Sequence, residues 1–81
     1  LSWQLRPDTW GNGYATEASQ RLLRWAFEQG IEEVFAVARP DNTRAIATAR
    51  RLGMEWVGET EKYYDRRLQV FRIRPSDLDR G

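Results

Sequence analysis

A chain of 81 residues builds one domain at most, and at this size only roughly 60–65% of the unfolded surface is buried on folding. A formal net charge of +1 gives no broad electrostatic footprint for nucleic acid, and the balance of charged and apolar residues is that of a globular protein. With neither cysteine nor histidine, the chain has no disulfide, no thiol nucleophile, no Ser-His or Cys-His catalysis and no Cys/His metal site. No apolar run approaches the roughly 18 residues of a membrane span, and a cytoplasmic location is the expectation.

The chain opens at Leu1, in what reads as the middle of a strand, and a piece of a longer protein is expected. Leu1, Trp3 and Leu5 alternate with Ser2, Gln4 and Arg6, the period of a strand with one apolar face. Pro7 and Asp8 end it, because proline cannot donate to a ladder. Residues 14–29 read as a helix. Ala15, Ala18, Leu22 and Ala26 recur at three- and four-residue spacing as its inward stripe, widened by Leu23 and Trp25. Gly30 supplies the stop. Thr16 and Glu17 stand near the helix start, and the Glu17 carboxylate is expected to face away from any bound anion.

Residues 31–39 form a second strand whose continuous run Val34-Phe35-Ala36-Val37-Ala38 suggests burial on both faces, as in a parallel sheet. Pro40-Asp41-Asn42-Thr43 is turn and cap chemistry, with Asp41 or Asn42 as the cap. A short helix over about 43–52 turns Ala45, Ile46, Ala49 and Leu52 inward and ends at Gly53. Arg44, Arg50 and Arg51 read as a solvated basic face, or as contacts to a phosphorylated ligand. Residues 54–60 and 66–74 are two strands, and the short link 61–65 makes them an antiparallel hairpin. The second strand places apolar residues on both sides. Residues 75–81 read as a polar, frayed tail. Trp3, Trp25 and Trp56 are expected in the core, whereas Trp10 sits on a loop and could pack against a cofactor or a neighbouring chain.

The stretch Asp8-Thr9-Trp10-Gly11-Asn12-Gly13-Tyr14-Ala15-Thr16-Glu17-Ala18 is the most informative. A Gly-x-Gly turn opening a helix sets unpaired N–H groups at the positive end of the helix dipole, and glycine lets a ligand approach the main chain. That suits a pyrophosphate. On the pattern alone, the commoner reading is that the glycines do no more than shape a tight turn. There is no Gly-Lys-Ser/Thr, so this is not a Walker loop. The third glycine of a dinucleotide fingerprint would fall at Thr16, against a Rossmann site.

The order strand, Gly-x-Gly turn, helix, strand, Asn-capped helix, hairpin resembles the C-terminal half of the GNAT superfamily of acetyl-CoA-dependent N-acetyltransferases. The residues that carry the likeness are 10–18, Asn42, and Arg51-Leu52-Gly53-Met54. Gly-x-Gly-Tyr-Ala-Thr-Glu-Ala is similar to the subgroup of ribosomal-protein N-terminal acetyltransferases. The resemblance implies an α/β fold, a partial acyl-CoA N-acyltransferase fold with strand-helix-strand-helix-strand-strand order and a mixed sheet. Residues 1–75 would be the C-terminal half of such a domain and residues 76–81 its polar tail.

The resemblance further implies acetyl-CoA as co-substrate and no metal. Main-chain amides of Trp10, Gly11, Asn12, Gly13, Tyr14, Ala15 and Thr16 would hold the CoA pyrophosphate. Gln4, Leu5 and Arg6 would pair with the pantetheine arm, and Asn42 would contact the pantetheine or a water near the sulfur. The family pattern is broken in places. Asp8 stands where Gln or Arg is usual. Ala49 replaces a tyrosine acid, Ala45 a serine, and Val37 a glutamate base. Remaining proton carriers are Tyr63 and Tyr64, then Glu61, Asp65, Glu55 and Glu59. The function implied is acetyl transfer to a primary amine, of a protein N-terminus or a small molecule, by direct attack in a ternary complex. The alternatives are a non-catalytic CoA-binding module and an oligomerising one. Neither a membrane nor a nucleic acid is expected as partner. The free edge of the first strand should be covered by a second copy or by a preceding segment.

Overall fold

A computed structural model describes residues 2–5, 13–61 and 67–78, with side-chain surroundings for 2–4, 16–61 and 67–78. Seven elements follow in order: β1 (Ser2–Leu5), α1 (Gly13–Glu28), β2 (Glu33–Ala38), α2 (Thr43–Arg51), β3 (Glu55–Thr60), β4 (Leu68–Ile73) and α3 (Pro75–Leu78). The strands form one mixed sheet in the order β1-β2-β4-β3. β1 and β2 are parallel, joined by the α1 crossover, and β4 runs antiparallel to both β2 and β3.

Register divides the sheet into two faces. Trp3 lies opposite Val34, Val34 opposite Ile73, and Ala36 opposite Phe71. These residues share the face that carries the helices, and the core forms there. Leu23 of α1 and Ala45, Ala49 and Leu52 at α2 close over Val34, Ala36, Phe71 and Ile73. Ser2, Gln4, Phe35, Val37, Val70 and Arg72 belong to the other face, which no described helix covers. The apolar run of β2 is therefore not buried on both sides. Val34, Ala36 and Ala38 are buried, while Glu33, Phe35 and Val37 are half-buried on the open face.

Both long helices end in the same way. Gly30 (φ +93°) donates to the Phe27 carbonyl and Ile31 N–H donates to the Ala26 carbonyl, the paired bonds of a Schellman cap. Gly53 (φ +92°) and Met54 repeat the arrangement on the Arg50 and Ala49 carbonyls. Each cap turns an apolar residue, Ile31 or Met54, back onto the core.

Three further expectations are corrected. The buried stripe of α1 is Ser19, Leu23 and Ala26, with Phe27 partly buried; Leu23 and Ala26 face inward as expected, whereas Ala18 is exposed and Leu22 is 38% exposed. Trp25 and Trp56 are 54% and 56% exposed, not core. Trp25 meets Trp3 edge to face, ring centroids 6.5 Å apart. The expected polar tail contains α3, whose Leu78 joins the core. Pro75 pre-sets the first helical φ, and Asp77 accepts from the Arg74 N–H at 3.0 Å while donating its own N–H to the Arg74 carbonyl at 2.9 Å. Among the described residues no helix is long and apolar enough to cross a membrane.

Candidate functional site

In an α/β sheet, ligands gather beyond the carboxyl ends of parallel strands. Here that end brings together the close of β1, the start of α1, the tail of β2 and the start of α2. The described pairing of β1 with β2 stops at Leu5 opposite Ala36, whereas β2 continues through Val37 to Ala38. On its other side β2 stays paired to β4 through Val37–Val70 and Ala38–Gln69. Among the described residues, the last two positions of β2 thus have one side of their backbone without a strand partner. That is the edge along which an extended amide chain could add by main-chain hydrogen bonds.

α1 starts at Gly13, so the amides of Gly13, Tyr14 and Ala15 are ones its helix leaves unpaired, whereas the Thr16 N–H is the first that helix geometry engages. Thr16 is half-buried. Glu17 is solvent-facing and pairs with Arg21 at 3.3 Å, so its carboxylate is turned away from the helix start, as expected. The helix end therefore keeps its positive potential. Of the residues expected at the cofactor, Gln4 is exposed on the open face, while Leu5, Gly13, Tyr14 and Ala15 are placed by their backbone at the strand end and helix start. Arg6, Trp10, Gly11 and Asn12 lie outside the described residues, as do Tyr63 and Tyr64.

Asn42 caps α2. Its Oδ1 accepts the Ala45 N–H at 3.1 Å, so the oxygen is committed to the helix and its amide nitrogen is the group left for a ligand. Asn42→Ala is expected to cost about 1 kcal/mol of stability through the lost cap. Urea denaturation measures this. Behind the cap, Ala45 and Ala49 are fully buried against the sheet. They contribute packing and no proton. Val37 lies on the open face.

That face carries a cleft of about 470 Å³ lined by Ser2, Gln4, Phe35, Val37, Val70 and Thr60. Sequence reading missed it, having buried β2 on both sides. At the far end of the sheet Arg72 bonds Glu55, which holds the guanidinium charged more firmly than usual against the opposing effect of burial, and Arg72 Nε is left buried without a partner. Among the described residues no three carboxylates converge to hold a cation.

The family model for the acetyltransferase (GNAT) domain matches residues 1–55. The chain belongs to the GNAT acetyltransferase family. The curated relative YnaD of Bacillus subtilis, an uncharacterised N-acetyltransferase, is 29% identical over 63 residues, covering 76% of this chain and 37% of that protein. Mycobacterium smegmatis RimJ, solved in complex with CoA-disulfide, superposes with a TM-score of 0.76 at 26% identity over 84% of this chain and 35% of that one. The ribosomal-protein-S5-alanine acetyltransferase of Vibrio fischeri has the same fold, with a TM-score of 0.73 at 22% identity over 84% of this chain and 40% of that one. The chain thus spans little more than a third of the length of the curated relative. In GNAT terms it supplies a mixed four-stranded sheet with its helices, and the expected fold class holds.

Proposed function

We propose that this chain is the acetyl-CoA-binding portion of an N-acetyltransferase acting on a primary amine. The observation that carries the reading is the tail of β2 at Val37 and Ala38, which among the described residues has one backbone side without a strand partner, together with the N-terminus of α1. An extended amide arm and a diphosphate are what CoA offers, and a strand edge and a helix start are what they need. The carbonyl of the thioester would meet a neutral amine directly. The nitrogen–carbon bond forms, the carbon–sulfur bond breaks, the amine loses a proton and the CoA thiolate gains one. Tyr63 and Tyr64 are proposed as donors to the thiolate, because Val37, Ala45 and Ala49 offer no proton. The open-face cleft beside Val37 suits the approach of the amine. The free edge of β1 is left for a second copy or a further segment to cover.

A second reading is a module that holds CoA without turning it over, favoured by the apolar character of those same three positions. Thermal unfolding with and without CoA tests both. A ligand at about 100 times its Kd adds roughly 2.7 kcal/mol. No change at millimolar CoA would defeat both readings. Thiol release from acetyl-CoA with amine acceptors then divides enzyme from binder.

A further inference from the structure

On the far flank of α2 from α1, a groove of about 380 Å³ runs between α2 and the β3–β4 hairpin, lined by Pro40, Ile46, Arg50, Trp56, Gln69 and Phe71. Ile46 and Arg50 stand one turn apart on α2, and Trp56 lies directly opposite Phe71 across the hairpin. Pro40, Ile46, Trp56 and Phe71 give the groove an apolar part and Arg50 and Gln69 a polar one, and the volume suits one ring with a short substituent.

Two details make this more than a crease. First, Trp56 is 56% exposed and yet held. Its Nε1–H donates to Gln69 Oε1 at 2.6 Å, Gln69 Nε2 donates to Glu59 Oε1 at 3.0 Å, and Arg67 Nε lies 3.7 Å from Glu59 Oε2. The indole face is set in advance, so a ligand stacking on it would not have to order it. Second, the nearby carboxylates are spent. Glu55 is engaged by Arg72, Glu59 by Gln69 and Arg67, and Glu61 by Arg67 at 3.8 Å. The Gln69 amide is likewise occupied on both of its atoms. Arg50 is exposed and has no ion-pair partner among the described residues. The groove thus combines a fixed aromatic wall with one uncompensated planar cation, a pair suited to a ring that carries a carboxylate.

We propose that this groove is a second ligand site, separate from the strand-end site, for a small aromatic acid that stacks on Trp56 and pairs with Arg50. The probes are indole-3-acetate and its neutral analogue indole-3-acetamide, followed through the indole N–H signals of the ¹⁵N-labelled full chain, with Trp56 assigned by its loss in Trp56→Phe. The acid is expected to shift the Trp56 signal saturably and at least tenfold more tightly than the amide. Arg50→Gln should abolish that preference, and Arg51→Gln, on the neighbouring exposed residue, should retain it. Equal binding of acid and amide, an unchanged preference in Arg50→Gln, or no Trp56 shift at millimolar acid would overturn the proposal. So would a Trp56 shift that follows protein concentration without ligand, which would assign the surface to a second copy.

Discussion

Phe71→Ala is expected to destabilise the chain by about 3–5 kcal/mol, the range for deleting a buried ring and leaving a cavity. Phe71 is 2% exposed and the largest of the fully buried side chains. It stands on β4 between Ala36 of β2 and Trp56 of β3, in the core cluster that also holds the small residues Ala45 and Ala49 of α2. Those alanines let the helix lie close, and for that reason they offer no side chain that could swing in to fill the hole. A domain of this size has roughly 4–12 kcal/mol in total, at about 0.05–0.15 kcal/mol per residue. The loss is therefore between about a quarter and all of that stability. Phe71→Leu keeps most of the volume and should cost far less. Urea denaturation followed by far-ultraviolet circular dichroism measures both. A cost below about 1 kcal/mol for the alanine variant would mean that the β4–α2 interface is not the centre of the core.

The order of elements was legible because each is punctuated. Gly30 and Gly53 stop helices, Asn42 starts one, and β1 alternates cleanly. Which side of α1 faces inward was not legible. Leu22, Leu23, Trp25 and Ala26 are all apolar, so periodicity defines a broad band and packing selects within it. Selection fell on Ser19, Leu23 and Ala26; Leu22 and Trp25 are left outside.

The β3–β4 hairpin failed differently. Strict alternation puts Trp56 and Glu59 on opposite faces, but the ladder skips Val57 between Trp56–Phe71 and Gly58–Val70. That bulge, with Gly58 at φ +138°, turns Glu59 to the same side as Trp56 and makes the Trp56–Gln69–Glu59 relay possible. A glycine inside a strand was the visible clue. After β2 the sequence placed the turn and the helix start correctly but could not divide Asn42 between helix and ligand. An Asx oxygen serves either, and the Ala45 N–H takes it here.

Among Gly30, Gly53 and Gly58, Gly53→Ala is expected to be the costliest change, and Gly30→Ala shows why. Both glycines cap a helix at almost the same positive φ, +92° and +93°. Each alanine should thus incur the same conformational penalty, about 1–2 kcal/mol for an L-residue in the left-handed region. A Cβ at Gly30 would meet nothing within 4 Å, whereas one at Gly53 would lie 2.9 Å from the Asp77 carbonyl oxygen. That oxygen is main chain, so relief requires α3 to move. Moving α3 withdraws Leu78 from the core and strains the Asp77–Arg74 cap. Burying a leucine is worth roughly 1.5–3 kcal/mol, and part of that is lost on top of the shared penalty. The difference in denaturation free energy between the two variants isolates the docking of α3. Gly53→Ala should exceed Gly30→Ala by more than about 1 kcal/mol. A Leu78→Ala background should shrink that gap, since a helix with nothing to bury can yield at little cost. Equal losses in Gly53→Ala and Gly30→Ala would show that the chain after Ile73 is not held against Gly53 in solution.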